Sequence, residues 1–383
     1  MLKTGLKIYQ NKALDEVREI LAPHTSRAYL VGGCVRDSIL GREIYDYDIE
    51  VYDISPDKFD NIMQDVGASG VGKSYFIYKF KEFDLGLPRT ENKIGLRHTD
   101  FEVSYCNDEK AASQRRDFSI NALMLNIFNG ELIDNWSGLS DLRNSSIRHI
   151  DDEKFCEDPL RVLRAVQFAS RLNFKISQKT LELMKTLDLS WLSKDRIACE
   201  LLKFFKAKHL EVGTFYLYEL GLFDKLFNLK ISRDELDDFC KKLQNARKFI
   251  DSSKLFLYLL SNEFSLNLTQ ILKELKLPKI YEKILKEPFY KDQPSDFEFL
   301  QIAQNLPLKQ WLGCYSQKRV DRAKKLGYYD EQLEIKIDAA SIIQQGFTGK
   351  AVGEQIELKK NEEIEKILAE KGLNKSKFDK IQD

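Results

Sequence analysis

Among 383 residues there is no Cys-x-x-Cys pair, no long apolar run, no excess of either charge, and only four histidines. The six cysteines (Cys34, Cys106, Cys156, Cys199, Cys240, Cys314) are scattered. That spacing argues against a disulfide framework or a zinc module and fits a reducing, cytoplasmic setting. No stretch reaches the roughly 18 consecutive apolar residues of a membrane-spanning helix. No charged-then-apolar leader opens the chain, so neither export nor membrane spanning is expected. The histidines (His24, His98, His149, His209) include no His-Asp doublet, which argues against an appended metal-dependent phosphohydrolase module. Lys+Arg and Asp+Glu both number 60, so there is no global positive field. Any nucleic-acid contact must come from local basic surface.

The length calls for two or more compact units. Up to about residue 142, short β-like runs alternate with helices. A helix is expected near 10–22, a strand at 27–31, a helix opening near Cys34, and strand-like runs at 47–53, 74–83 and 100–105. Leu123 to Asp134 reads as a hairpin with Asn129-Gly130 in a tight primed turn. From about residue 143 the apolar residues Leu160, Val162, Leu163, Val166, Phe168 and Leu172 fall at helical spacings, and the rest of the chain looks helical. The fold class is therefore α+β, a small mixed-sheet head followed by helices. Basic residues cluster at 264–291 and 316–326, where a solvated helix face is the plainer reading. No internal repeat or low-complexity segment occurs.

The most informative string is Leu30-Val31-Gly32-Gly33-Cys34-Val35-Arg36-Asp37, followed by Asp46-Tyr47-Asp48. Paired glycines let a phosphate approach the backbone, and Arg36 can reach back to the same phosphates from the first helical turn. Tyr47, Ile49 and Val51 alternate with Asp46, Asp48 and Glu50, so one strand face is apolar and the other acidic. Two carboxylates at i and i+2 can share a divalent ion, and hard oxygen ligands suit Mg²⁺. Two such ions about 4 Å apart lower the pKa of an attacking hydroxyl and neutralise a leaving pyrophosphate.

These motifs, with Arg115-Arg116-Asp117-Phe118-Ser119-Ile120-Asn121-Ala122, Glu157-Asp158-Pro159-Leu160-Arg161-Val162-Leu163-Arg164-Ala165, and Asp195-Arg196-Ile197 with Glu200-Leu201, stand in the order seen in class II tRNA nucleotidyltransferases. The chain resembles that family, which includes CCA-adding enzymes and bacterial poly(A) polymerases within the DNA polymerase β-like superfamily, over roughly residues 27–205. The resemblance implies a catalytic head at 1–142, a neck that recognises the base at 143–205, a helical body at 206–310 and a tRNA-binding tail at 311–383. It implies transfer of CMP and AMP from CTP and ATP to the 3′ end of tRNA, with Mg²⁺ as cofactor.

On the same basis Asp46 and Asp48 are the catalytic metal ligands, with Asp84 as a third and Glu50 as its rival. Gly33, Arg36, Arg116, Asp158, Arg161 and Arg164 are the nucleotide contacts; Arg115, Arg116 and Asp117 form the ribose-side motif, with Arg116 the direct contact. Asp195, Arg196 and Glu200 are braces for the nucleotide-binding helices. Where many members carry a further arginine, this chain has Gln167. Asp158 and Arg161 are expected at i and i+3 on one helix, so both side chains can address one planar base. A carboxylate taking an amino proton and a guanidinium donating to a ring nitrogen suit both cytosine and adenine, whereas uracil and guanine reverse the pattern. The alternative for such a pair is a surface ion pair worth a few tenths of a kcal/mol.

Leu87 to His98 resembles the flexible loop of members that add the terminal A, and Ile342 to Ile356 loosely resembles a tail motif. Gly67-Ala68-Ser69-Gly70-Val71-Gly72-Lys73-Ser74 satisfies the P-loop pattern, but a working P-loop follows a strand and opens a helix, and the context reads inverted. The rival readings are an A-adding enzyme paired with a separate CC-adding enzyme, a poly(A) polymerase, a non-catalytic RNA-binding protein, and a P-loop ATPase.

Overall fold

The computed structural model describes residues 7–70, 77–93 and 101–373. The chain divides into two compact units, Met1–Ser193 and Lys194–Asp383. The first is built on strands β1 (Ala28–Val31), β2 (Tyr47–Val51), β3 (Ser69–Gly70), β4 (Ile77–Phe80), β5 (Phe83–Gly86), β6 (Arg89–Lys93), β7 (Phe101–Tyr105), β8 (Met124–Asn126) and β9 (Leu132–Ile133). Seven of these form one sheet in the order β3-β4-β5-β2-β1-β8-β9, while β6 and β7 pair with each other. All four residues of β1 are buried, as a short continuous apolar run in a central strand should be.

Only β2 and β5 pair in parallel in the main sheet. Parallel strands need a long crossover, and this one is carried by the helix Pro56–Asp65 and the β3–β4 segment. The run expected at 74–83 is two strands, because Lys81 at φ 52 turns the chain between β4 and β5. The expected hairpin forms from β8 and β9, but its loop is not a two-residue primed turn. Among the loop residues Gly130 alone has positive φ. The Asn126 side-chain carbonyl instead accepts from the Phe128 and Asn129 N–H groups and shapes a wider loop.

Helices α1 (Ala13–Leu21), α2 (Gly33–Ile39), α3 (Pro56–Asp65), α4 (Glu109–Gln114), α5 (Gly138–Arg143), α6 (Asp152–Cys156), α7 (Arg161–Leu172) and α8 (Gln178–Lys185) complete this unit. Tyr29, Val31, Tyr52, Ala112 and Met124 pack on one face of the sheet. The apolar stripe foreseen from Leu160 to Leu172 is buried throughout, and Asn173 at φ 60 ends α7 in the left-handed conformation.

Among the described residues the second unit is helical, from Lys194–Phe205 to Lys350–Glu370. Phe204, Phe205, Phe227, Phe239 and Phe256 form its aromatic core. Part of the basic cluster at 316–326 is structural. Arg319, 4% exposed, donates to the carbonyls of Gly313, Tyr290 and Asp292, and Arg322 pairs with Asp296. Lys318, Lys324 and Lys325 stay exposed. No helix among the described residues is long and apolar enough to cross a membrane.

Candidate active site

Strand β1 delivers the chain into Gly32, whose φ of 73° and ψ of −133° lie in a region open to glycine and strained for other residues. Space is as restrictive as the backbone. A Cβ at Gly32 would stand 3.0 Å from Arg116 Nη1 and 3.8 Å from Asp48 Oδ2, and one at Gly33 would stand 3.6 Å from Arg36 Nη2. The glycine turn with its own Arg36, the acidic strand and Arg116 from a distant motif thus share one small region. Gly32→Ala is expected to lose about 1 to 3 kcal/mol of stability from backbone strain and to displace Arg116. Thermal denaturation alongside nucleotide transfer checks this, and wild-type values for both would refute the close packing.

Asp46 immediately precedes β2, and Asp48 lies within it. Both are exposed. Asp84 on β5 is the registered partner of Asp48 across the parallel pair, so their side chains share a face. Asp48 is exposed, yet neighbouring protein crowds its carboxylate. That partial desolvation raises its pKa, Arg116 opposes the rise, and Asp84, Asp46 and Glu50 reinforce it. Lys79 lies 3.6 Å from Asp84. Among the described residues no three His, Cys, Asp or Glu side chains converge as a ready-made metal cage. This donor set still suits Mg²⁺, which is typically bound by one or two carboxylates, with substrate phosphates and water completing its shell.

Glu50 is engaged by other partners. It is 5% exposed; its Oε1 accepts from Arg115 at 2.9 Å and Arg116 at 2.8 Å, and its Oε2 from the Tyr52 hydroxyl at 3.1 Å. Burial alone would push its pKa up, but Arg116 and Arg115 outweigh that and hold it below the usual carboxylate range. Glu50 shares strand parity with Asp46 and Asp48 and serves instead to pin the two arginines.

A second polar network joins the remaining candidates. Arg36 is 3% exposed; its Nε and Nη2 donate to Asp37 at 2.9 and 2.7 Å, and its Nη1 to Asn121 Oδ1 at 2.5 Å. Asn121 Nδ2 donates to Asp117 Oδ1 at 2.8 Å, and Arg164 Nε to Asp117 Oδ2 at 2.7 Å. Burial would raise the Asp117 pKa, yet Arg164 and the Asn121 amide hold it below the ordinary range. The guanidinium carbons of Arg36, Arg164 and Arg171 lie 4.9, 5.5 and 5.9 Å from the centroid of the Phe168 ring. Sequence reasoning missed the parts played by Asn121 and Phe168. The first was hidden inside a quoted motif, and the second read only as one step of an apolar stripe.

Asp158 sits in the turn before α7 and not on the helix, because its carboxylate accepts from Leu160 N at 3.1 Å. The i,i+3 relation survives, as Arg161 N donates to Asp158 O at 3.1 Å. Arg161 donates to the carbonyls of Lys154 and Arg115, both at 2.6 Å. Gln167 is 1% exposed, inside the packed side of α7. Asp195, exposed, pairs with Lys276 at 3.1 Å, and Glu200, buried, with Lys203 at 2.7 Å. The P-loop context is inverted as expected: α3 precedes the pattern and β4 follows it. Its Val71 to Ser74 portion lies outside the described residues, as does the part of the Leu87–His98 loop beyond Lys93, whose Arg89–Lys93 portion is strand β6.

The Poly A polymerase head domain family matches residues 28–148, and the family described as the probable RNA and SrmB-binding site of polymerase A matches residues 173–230. The chain is 29% identical over 374 residues to the CCA-adding enzyme of Lactococcus lactis subsp. cremoris (strain MG1363), covering 92% of this chain and 89% of the relative. It is 37% identical over 214 residues to the multifunctional CCA protein of Psychromonas ingrahamii, covering 52% of this chain and 50% of that one. The solved CCA-adding enzyme of Bacillus stearothermophilus in complex with CTP superposes with a TM-score of 0.64 over 89% of each chain at 22% identity, a likeness of fold. With two family matches in the expected order, a near full-length relative and a shared fold, the chain is a member of the tRNA nucleotidyltransferase and poly(A) polymerase family.

Proposed function

We propose that this chain completes the CCA end of tRNA, transferring CMP and then AMP from CTP and ATP to the 3′ hydroxyl and releasing pyrophosphate. The carrying observation is that Arg116 Nη1 and Asp48 Oδ2 both lie within 3.8 Å of where a Cβ on Gly32 would stand, with Asp84 in register beside Asp48. Near full-length similarity to a CCA-adding enzyme supports the reading.

Enzymes of this family generally depend on a divalent metal. Held by Asp46 and Asp48, with Asp84 beside them, Mg²⁺ would lower the pKa of the attacking hydroxyl and neutralise the departing pyrophosphate. The protein's own groups do the rest. The Gly33 backbone admits the triphosphate, and Arg36 keeps N–H groups beyond its bonds to Asp37 and Asn121, since a guanidinium carries five. Arg116, fixed by Glu50, addresses the sugar, while Arg164, anchored on Asp117, addresses the nucleotide from α7. Asp158 and Arg161 read the pairing edge of the base. A good bidentate contact discriminates by about 1 to 3 kcal/mol, which selects C and A over U and G without a nucleic-acid template.

Residues 143–205, 206–310 and 311–383 are assigned as neck, body and tail, the last two gripping tRNA, with binding that weakens as salt rises. The unpaired cysteines support a cytoplasmic enzyme.

The test is incubation of the purified protein and Mg²⁺ with tRNAs ending before CCA, after C and after CC, supplying CTP, ATP or both, and sequencing the 3′ ends. Completion of CCA on all three is expected. Addition of A to the CC-ended tRNA alone would identify an A-adding enzyme that needs a CC-adding partner, and long A tails a poly(A) polymerase. ATP hydrolysis without transfer would point to the P-loop reading.

A further inference from the structure

The arginine assigned to the phosphates and one assigned to the nucleotide from α7 are tied together by a single amide. Arg36, buried, and Arg164, 31% exposed at its side chain, both lie against the Phe168 ring, so two like charges are held close at the edge of the core. Such an arrangement is stable only if intervening groups compensate both charges. Asp37 neutralises Arg36 and Asp117 neutralises Arg164. Neither carboxylate links the two arginines. The link is Asn121, whose Oδ1 accepts from Arg36 at 2.5 Å and whose Nδ2 donates to Asp117 at 2.8 Å.

An amide is the side chain whose polarity fits this place. It carries an acceptor and a donor on adjacent atoms, so it can face a guanidinium and a carboxylate at once. The two neighbours also fix its orientation, since a flipped amide would set N–H against N–H and oxygen against oxygen. Asn121 is 6% exposed and ends the short 3₁₀ turn Ser119–Asn121, whose Ser119 N is bonded to Arg148 O at 2.9 Å.

We propose that Asn121 is a positioning residue that fixes Arg36 and, through Asp117, Arg164 relative to each other, so that the phosphates and the base of the incoming nucleotide are engaged in one geometry. The proposal rests on the nucleotide roles assigned above to Arg36 and Arg164. Asn121 itself does not touch the nucleotide. Loosening it lets either arginine shift without the other, and a nucleotide with the wrong pairing edge can then settle with its phosphates still held.

The experiment compares the wild-type chain with Asn121→Asp, Asn121→Ala and the exchange Asn121→Asp/Asp117→Asn. Equilibrium dialysis measures binding of ATP, CTP, UTP and GTP, single-turnover addition to a CC-ended tRNA measures transfer, and thermal melting reports on folding. Asn121→Asp keeps an acceptor for Arg36 but sets a carboxylate against Asp117, so selection of ATP and CTP over UTP and GTP is expected to fall on the order of tenfold. Asn121→Ala releases both ends, and the Kd for ATP should rise by a similar factor as well. In the exchange, the amide at position 117 donates to the carboxylate at position 121 but gives up the bond from Phe118 N and the charge facing Arg164, so a part of the lost selection should return. Equal slowing with every nucleotide, a matching loss of melting temperature and no recovery in the exchange would reduce Asn121 to a folding role and overturn the proposal. A wild-type protein that binds all four nucleotides alike would remove the functional reading itself, and this proposal with it.

Discussion

Asp48→Ala is expected to lower nucleotide transfer by about three orders of magnitude while leaving the melting temperature of the protein unchanged, by analogy with other charge-stabilising catalytic groups. The two halves of that expectation have different origins. Asp48 is exposed, and the carboxylates near it, Asp84, Asp46 and Glu50, make its own charge costly, so its removal takes away like-charge crowding and little packing. The loss of rate follows from chemistry. With one oxygen donor gone from β2, Asp46, just before that strand, and Asp84, on β5, are left without the carboxylate that β2 places in register with Asp84. Single-turnover addition of A to a CC-ended tRNA at saturating Mg²⁺, run beside a melting curve, measures both. Turnover within tenfold of wild type in a well-folded variant would move the catalytic centre elsewhere.

What the sequence disclosed about this region is mostly what lies close together along the chain. Gly32-Gly33, the Asp46 and Asp48 pair and the burial of the α7 stripe were all readable, because each depends on a local period or a short motif. The misreadings share the opposite origin. Glu50 has the parity of a metal ligand, and only Arg115 and Arg116, 65 and 66 residues further on, convert it into an internal anchor. Arg319 looked like part of a basic surface until the carbonyls of Tyr290 and Asp292 claimed it. The turn at Lys81 escaped notice because a lysine can adopt positive φ at modest cost where strand pairing on both sides compensates. Asp158 fell one turn short of its helix because an aspartate carboxylate competes for backbone N–H groups. Periodicity reports which face a residue occupies, and long-range pairing then decides what the residue does there.

Glu50 supplies the sharpest contrast with Asp48, since the two sit two residues apart on the same strand. Glu50→Ala is expected to cost about 3 to 5 kcal/mol of stability, because removing one partner of a buried ion pair strands the other. Here the stranded partners are the guanidinium groups of Arg115 and Arg116. For a unit of this size the melting midpoint should fall by roughly 10 °C. The sign of the pH dependence follows from Glu50 having a folded-state pKa below its ordinary value of 4.5. Its stabilisation is fully present above that ordinary value and is lost as pH falls through the lower, folded value. The gap between wild type and Glu50→Ala should therefore be widest near neutral pH and narrow at the acid end, as the wild-type carboxylate takes up its proton. Urea denaturation at pH 7 and at successive steps below pH 4.5 measures that gap. A variant with the wild-type midpoint at pH 7 would show that Arg115 and Arg116 do not depend on Glu50 for compensation. Because Arg116 lies against Gly32 and Asp48, the unfolding loss should be accompanied by weaker nucleotide binding even where the variant remains folded. Asp48→Ala should leave stability intact and cut transfer, whereas Glu50→Ala should lower both, stability by stranding two guanidinium groups and nucleotide binding by freeing Arg116.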